Sequence, residues 1–244
     1  MSFTSVNWPN NEVAFNSDTF FHSTSKVETK EIPVMNINIY VMGREHMSEE
    51  VSLAIGENIE FINQEFNGEI QFNFDELFLD PIQGYLPDLY SYFLGQNDIN
   101  IEQYLSPIEK KGGINVYIFD TYVKDDKGAA LMGFTPRLKS GHESYQYNSP
   151  EFDRVFISFD GLSDKTTLVH EIGHFLGLYH PWELNDSEKK KNGLFSSAHE
   201  SENHMSYHSD VHKFTSQQLE LMRKHALNYR RYLLDEVKLV NIKV

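Results

Sequence analysis

This 244-residue chain contains no cysteine. Disulfides and thiolate metal ligands are therefore excluded. Positive charge is scarce: 21 Lys and Arg face 36 Asp and Glu, for a formal net charge of −15. A nucleic-acid partner needs a basic face to neutralise phosphates, so none is expected, and adhesion to an anionic membrane is disfavoured for the same reason. No apolar run comes near the about 20 residues a membrane helix needs, so no span is expected. The opening stretch Met1-Ser-Phe-Thr-Ser-Val-Asn-Trp-Pro9 has no basic region and no apolar region, and does not read as a signal peptide. Repeats, low-complexity tracts and an Asp-x-Asp-x-Asp-Gly loop are absent, so calcium has no motif behind it. What is present is a large apolar complement, 40% hydrophobic with 18 Phe and 13 Tyr, enough to fill the core of a large domain.

Residues 1–31 are polar and aperiodic and read as an N-terminal arm or the remnant of a pro-segment. From Pro33 the alternation of Ile37, Ile39 and Val41 against Asn36, Asn38 and Tyr40 predicts a strand with one buried face. Ser48 suits an N-cap, and Val51, Ile55, Ile59, Ile62 and Phe66 recur at helical spacing up to Asn67-Gly68. Ile70, Phe72 and Phe74 then alternate as a second strand, which the intervening helix makes parallel to the first. Asp88–Leu94 and Ile101–Lys111 read as short helical or irregular pieces. Ile114–Phe119 predicts a third strand, Lys124–Gly128 a solvated turn, Ala129–Phe134 a short edge strand, 139–150 a loop, and Val155, Ile157 and Phe159 a further strand. Asn185–Gly193 reads as a Lys-rich loop. Thr215 and Gln218 make a capping-box pattern for a C-terminal helix running to Leu233, with Arg230 and Arg231 suited to its dipole. The expected architecture is α/β: a twisted, mostly parallel sheet with helices, then a smaller irregular and helical C-terminal subdomain from about 181 to 244, with a cleft between them.

Chemistry concentrates in His170-Glu-Ile-Gly-His-Phe-Leu-Gly-Leu-Tyr-His180. On a helix, His170 and His174 share a face with Cβ atoms about 5–6 Å apart, close enough for both imidazoles to hold one zinc ion. Gly177 can adopt a left-handed conformation, end the helix and return His180 as a third ligand. Three protein ligands leave a fourth position open, which marks a catalytic site rather than a structural one. Glu171 is placed to reach a water at that position without being a ligand. His199, His204, His208 and His212 cluster downstream and read as surface or turn-shaping residues rather than a second metal site. His22, His46, His142 and His225 carry no comparable signal.

The stretch resembles the long zinc-binding signature of the metzincin metallopeptidases, His-Glu-x-x-His-x-x-Gly-x-x-His, at all five fixed positions. Within that clan the chain looks most similar to the pappalysin-like group. The likeness covers the helix from Lys165, the strand opening at Ile32-Pro-Val, Leu131-Met-Gly-Phe134, and Phe214-Thr-Ser-Gln-Gln with Met222, or residues 32–233 loosely. It implies a metzincin-like zincin fold over residues 32–244, with an upper subdomain ending near residue 180. It also implies that Met205, in Asn203-His-Met-Ser-Tyr207, is the methionine turn beneath the zinc, and that Tyr207 is a donor to the substrate oxyanion. Two departures stand out. The group's C-terminal cysteines are missing, which also removes latency through a cysteine on the metal, and the loop between His180 and Met205 is short.

The resulting expectation is a zinc-dependent endopeptidase. Glu171 serves as general base, His170, His174 and His180 as ligands, and Gly177 and Met205 as supports of the site. A peptide substrate lies against Ala130, Leu131, Met132 and Gly133 as an added strand. Two alternatives stay open: a non-catalytic zinc-holding binding or inhibitory module, and a metal-dependent hydrolase of a non-peptide amide. The resemblance implies secretion or export to the envelope, with a cytoplasmic chain as the alternative and a monomer as the default. Asp18 or Glu12 could cover the metal if residues 1–31 act as a latency segment.

Overall fold

The structure is a computed structural model that describes residues 27–42, 47–80, 105–119, 123–124, 130–136, 153–207 and 212–243. Expectations for the arm before Val27, residues 84–104, the turn at 125–128, the loop at 139–150 and His22, His46, His142 and His208 fall outside these. The architecture is mixed α/β with a mostly parallel sheet. Strand β1 (Val27–Met42) is followed by helix α1 (Glu49–Glu65), β2 (Gln71–Asp80), β3 (Ile114–Phe119), β4 (Val123–Lys124), β5 (Ala130–Leu131), β6 (Gly133–Phe134) and β7 (Arg154–Ser158). Helices α2 (Phe159–Ser163), α3 (Lys165–Phe175), α4 (Asp186–Lys191), α5 (Ser197–Ser201) and α6 (Ser216–Tyr229) precede strand β8 (Leu234–Lys243). The main sheet runs β2-β1-β3-β7-β6, with β8 paired to β1. β1, β2, β3 and β7 are mutually parallel; β6 and β8 are antiparallel additions. Among the described residues, no helix is long and apolar enough to cross a membrane.

Local signals explain much of this. The Ser48 side chain accepts from the Val51 N–H and caps α1, and Asn67 and Gly68 both take positive φ where that helix ends. The first strand starts earlier than expected, at Val27, and is buried on both faces from Ile32 onward, apart from the half-buried Asn36. One face joins the aliphatic core with Val116, Ile118, Val155, Ile157, Leu168 and Ile172. The other carries Tyr40, stacked on Tyr117 (4.8 Å) and Phe78 (4.7 Å), in an aromatic layer that continues through Phe156 to Phe134. Asn38 and Tyr40 looked solvent-facing because they are polar. They are buried because both hydrogen-bond Asn115 on β3, and the Lys110 N–H donates to the Tyr40 hydroxyl.

Three further elements differ from expectation. The Lys-rich stretch after Asn185 is a helix, closed by a capping box between Asn185 and Glu188. Phe159 opens α2 rather than extending β7. After α6 and a short 3-10 turn, Leu234–Lys243 returns as a strand against Val27–Met35. Beneath this, Arg230 is fully buried. It pairs with Asp153 (3.1 Å), lies 4.3 Å from the Phe175 ring, and donates to the Phe175 carbonyl at the end of α3.

Candidate metal centre

Helix α3 begins at Asp164, whose carboxylate accepts from the Thr166 N–H, and drives Leu168 and Ile172 into the sheet. Burying each such side chain contributes about 1.5–3 kcal/mol, and it turns His170 and His174 to the opposite side. The helix stops at Gly177, with φ +90°. The Leu178 N–H returns to the Gly173 carbonyl and the Gly177 N–H to that of His174, a Schellman closure. No side chain fits at Gly177 in any case, because a Cβ there would lie 2.7 Å from the His225 ring. His180 then caps the 3-10 turn Pro181–Glu183, where proline at the first position suits the turn start.

The result is a buried cluster in which one ligand atom each from His170, His174 and His180 lies within 4.8 Å of the others. Such a group can hold a metal ion. Each Nδ1 is engaged: with the His204 carbonyl (2.6 Å) for His170, the Leu178 carbonyl (2.8 Å) for His174 and the Glu183 carboxylate (2.8 Å) for His180. Carbonyl acceptors fix the tautomer with hydrogen on Nδ1, leaving the Nε2 lone pair to ligate. Nε2 of His174 and Nε2 of His180 are 3.1 Å apart. Ligands 2.0–2.1 Å from one tetrahedral ion stand about 3.4 Å apart, so the donor set fits a metal.

Glu171 is buried beside this cluster. Thr135 Oγ1 lies 2.8 Å from its Oε2 and 2.9 Å from its main-chain carbonyl, within donating distance of both. Gly133 presses against it, since a Cβ there would sit 2.9 Å from Glu171 Cγ. Of the four residues expected to bind substrate, Gly133 reaches Glu171. The Met132 carbonyl accepts from both the N–H and the hydroxyl of Ser158, and Ala130 and Leu131 pair with β4. Met205 is fully buried under α3; its sulfur would be 2.6 Å from a Cβ at Gly173. The turn that holds it is tied by Asn203, which exchanges two hydrogen bonds with Gln218 and accepts from the Met205 N–H. Tyr207 places its hydroxyl 2.9 Å from His180 Nε2.

Thr135, Glu183 and Trp182 escaped the sequence reading. Thr135 and Trp182 meet the site through contacts no local pattern announces. Glu183 had a signal, three residues after His180 as the closing member of a capping box. His204 contributes its carbonyl to His170, while its ring is held by Glu65 (2.8 Å) and lowered in pKa by burial. His225 is packed under the Gly177 turn, and burial, then Arg230, pushes its pKa down to about 3.

No family model matches the chain, and neither does any curated protein. Among the solved structures similar to it, two are each 14% identical. A chaperone–substrate complex aligns over 82% of this chain with a TM-score of 0.49. Metalloproteinase-II from Bacteroides fragilis aligns over 79% with a TM-score of 0.44. The chain spans 35% and 53% of their lengths. Likeness at that level says nothing about chemistry.

Proposed function

We propose that this chain is a zinc-dependent endopeptidase of the metzincin type, similar to the pappalysin-like group. The observation that carries the reading is the convergence of three buried imidazoles whose Nδ1 atoms are all engaged, with a buried carboxylate beside them. Three nitrogen ligands, one short of zinc's usual four, suit a catalytic zinc better than a metal kept only for structure. When bound, zinc supplies Lewis acidity, acidifying water and polarising a carbonyl.

The remaining steps belong to the chain. Glu171 takes a proton from the attacking water and delivers it to the leaving amine. Thr135 holds the Glu171 carboxylate in one orientation for both transfers. The Tyr207 hydroxyl, already at the ligand set, donates to the developing oxyanion. An extended peptide lies along β6, at the end of the sheet next to Glu171, and pairs through its main chain. Of the expected segment, Gly133 serves this best, because the Met132 carbonyl is already committed inward. Met205 packs beneath the ligands, and the Gly177 turn delivers His180.

The test is digestion of an unfolded protein, with zinc quantified per chain and a chelator control. About one zinc per chain and chelator-sensitive cleavage are expected, with Glu171→Ala retaining zinc and losing at least about 100-fold in rate. Equal cleavage by Glu171→Ala would overturn the mechanism. One zinc per chain with no cleavage of any unfolded substrate would favour a zinc-holding binding module.

A further inference from the structure

We infer that Trp182 and Tyr207 form a recognition lip for one apolar, preferably aromatic, side chain of the peptide next to the scissile bond. This rests on the peptidase reading above and names the substrate class of the same centre. Trp182 lies two residues past the third ligand, on the turn that Pro181 starts and Glu183 closes. Its indole is stacked on the His180 imidazole, with centroids 4.3 Å apart and planes 9° from parallel. The Tyr207 ring is 5.1 Å from the indole and 5.4 Å from the His170 ring. Both remain largely in solvent, Trp182 at 53% and Tyr207 at 64% exposure. The centre therefore carries two adjoining aromatic surfaces at its mouth.

Exposed apolar area contributes nothing to stability until something covers it. The stack on His180 also fixes the indole orientation in advance, so little side-chain entropy is left to lose on binding. Charge selects the occupant. An imidazole holding a divalent cation shares its charge, so a Lys or Arg side chain on the outer face of the indole meets opposition that offsets its attraction to the ring. The Glu183 carboxylate, on the same turn, is already committed to His180, and an acidic side chain laid on the two rings loses water without gaining a partner there. An aromatic or large aliphatic side chain gains burial, and an aromatic one gains ring–ring contact, with neither penalty.

Binding can be read without turnover. Zinc-loaded Glu171→Ala protein is titrated by calorimetry with capped Ala-Ala-X-Ala-Ala peptides in which X is Phe, Ala, Lys or Glu. The Phe peptide should bind about tenfold more tightly than the Ala peptide. Adding Trp182→Ala should erase that difference at unchanged zinc content, and adding Trp182→Phe should keep most of it. Equal binding of the Phe and Ala peptides, tighter binding of Lys or Glu, or a Phe preference that survives Trp182→Ala would overturn the lip. If the parent protein cleaves nothing, the endopeptidase reading fails on its own, and the calorimetry still decides the lip.

Discussion

Around the underside of α3, Met205, Phe175 and Phe214 are buried, whereas at the mouth of the histidine cluster Trp182 and Tyr207 stand in solvent. The underside is held by contacts that leave no room: the Met205 sulfur occupies the place a Gly173 side chain would take, and the Phe214 ring lies 3.4 Å from that same position. Arg230 closes the far end, its guanidinium at once on the Phe175 ring, the Phe175 carbonyl and Asp153. At the mouth, two large rings touch each other and the imidazoles of His170 and His180, and each keeps more than half of its surface in solvent. The difference separates two jobs. The underside packs against the helix that carries His170 and His174, so changes there should register first in folding. The mouth presents surface, so changes there should register in what binds.

The largest expected effect is on the underside. Arg230→Ala removes a buried cation, leaves Asp153 without that partner, and strips a positive charge from the C-terminal end of α3. Breaking a buried ion pair from one side costs about 3–5 kcal/mol. Because Asp153 can take up a proton, a loss near the lower end, about 3 kcal/mol, is expected in urea or thermal unfolding of the zinc-loaded protein. A loss within the ±0.5 kcal/mol of an ordinary surface substitution would mean that the underside does not bear on the fold as its packing indicates.

Glu183 lies between the two regimes. It is partly exposed, yet its carboxylate accepts from both the main-chain N–H and Nδ1 of His180. A carboxylate behind a ligating histidine raises its basicity and fixes its ring, and losing such a partner costs about 10–100-fold in metal affinity. Glu183→Ala should therefore weaken zinc binding by that factor in a competition titration while moving the melting point of the zinc-saturated protein little. An unchanged zinc affinity would reduce Glu183 to a turn cap.

The parts of this site that could be read in the sequence were those that act over a few residues. His170, His174, Gly177 and His180 are joined by helix geometry and one turn, and the Ser48 and Thr215 caps are equally local. Other features depend on distant partners. Thr135 matters because it meets Glu171, 36 positions later. Arg230 looked like a charge suited to its own helix end, but it serves the end of α3, 55 positions earlier. Tyr40 and Asn38 looked like an outward face because polarity was taken for exposure, when their partner was Asn115. Strand β8 had a readable period of two in Val237-Lys-Leu239 and Val240-Asn-Ile242. The helical pattern before it obscured where the period changed, and Leu239, Val240 and Ile242 remain exposed.

The smallest expected effect concerns the carboxylate paired with Arg230, and it is a matter of sign. Asp153 is raised from its ordinary 3.8 to about 6, chiefly by burial, against the opposing pull of the Tyr232 hydroxyl and Arg230. A group whose pKa is higher folded than unfolded binds more protons in the folded state between the two values. Its contribution to stability is complete below about pH 4 and declines as pH rises through about 6. Asp153→Asn cannot titrate and resembles the protonated acid, so near pH 4 the variant and the parent should melt at similar temperatures. By pH 7 the variant should have gained on the parent by at least about 2 °C, given about 2–4 °C per kcal/mol for a chain of this size. Comparing the two proteins at each pH cancels the titration of every group they share, the three clustered histidines included. If the Arg230 pairing outweighs burial instead, the sign reverses, and Asp153→Asn falls behind the parent as pH rises. Differential scanning calorimetry at pH 4, 5, 6 and 7 separates the two. A reversed sign would make Asp153 and Arg230 a stabilising ion pair holding the end of α3, and would place the buried charge of the underside on the favourable side of its balance.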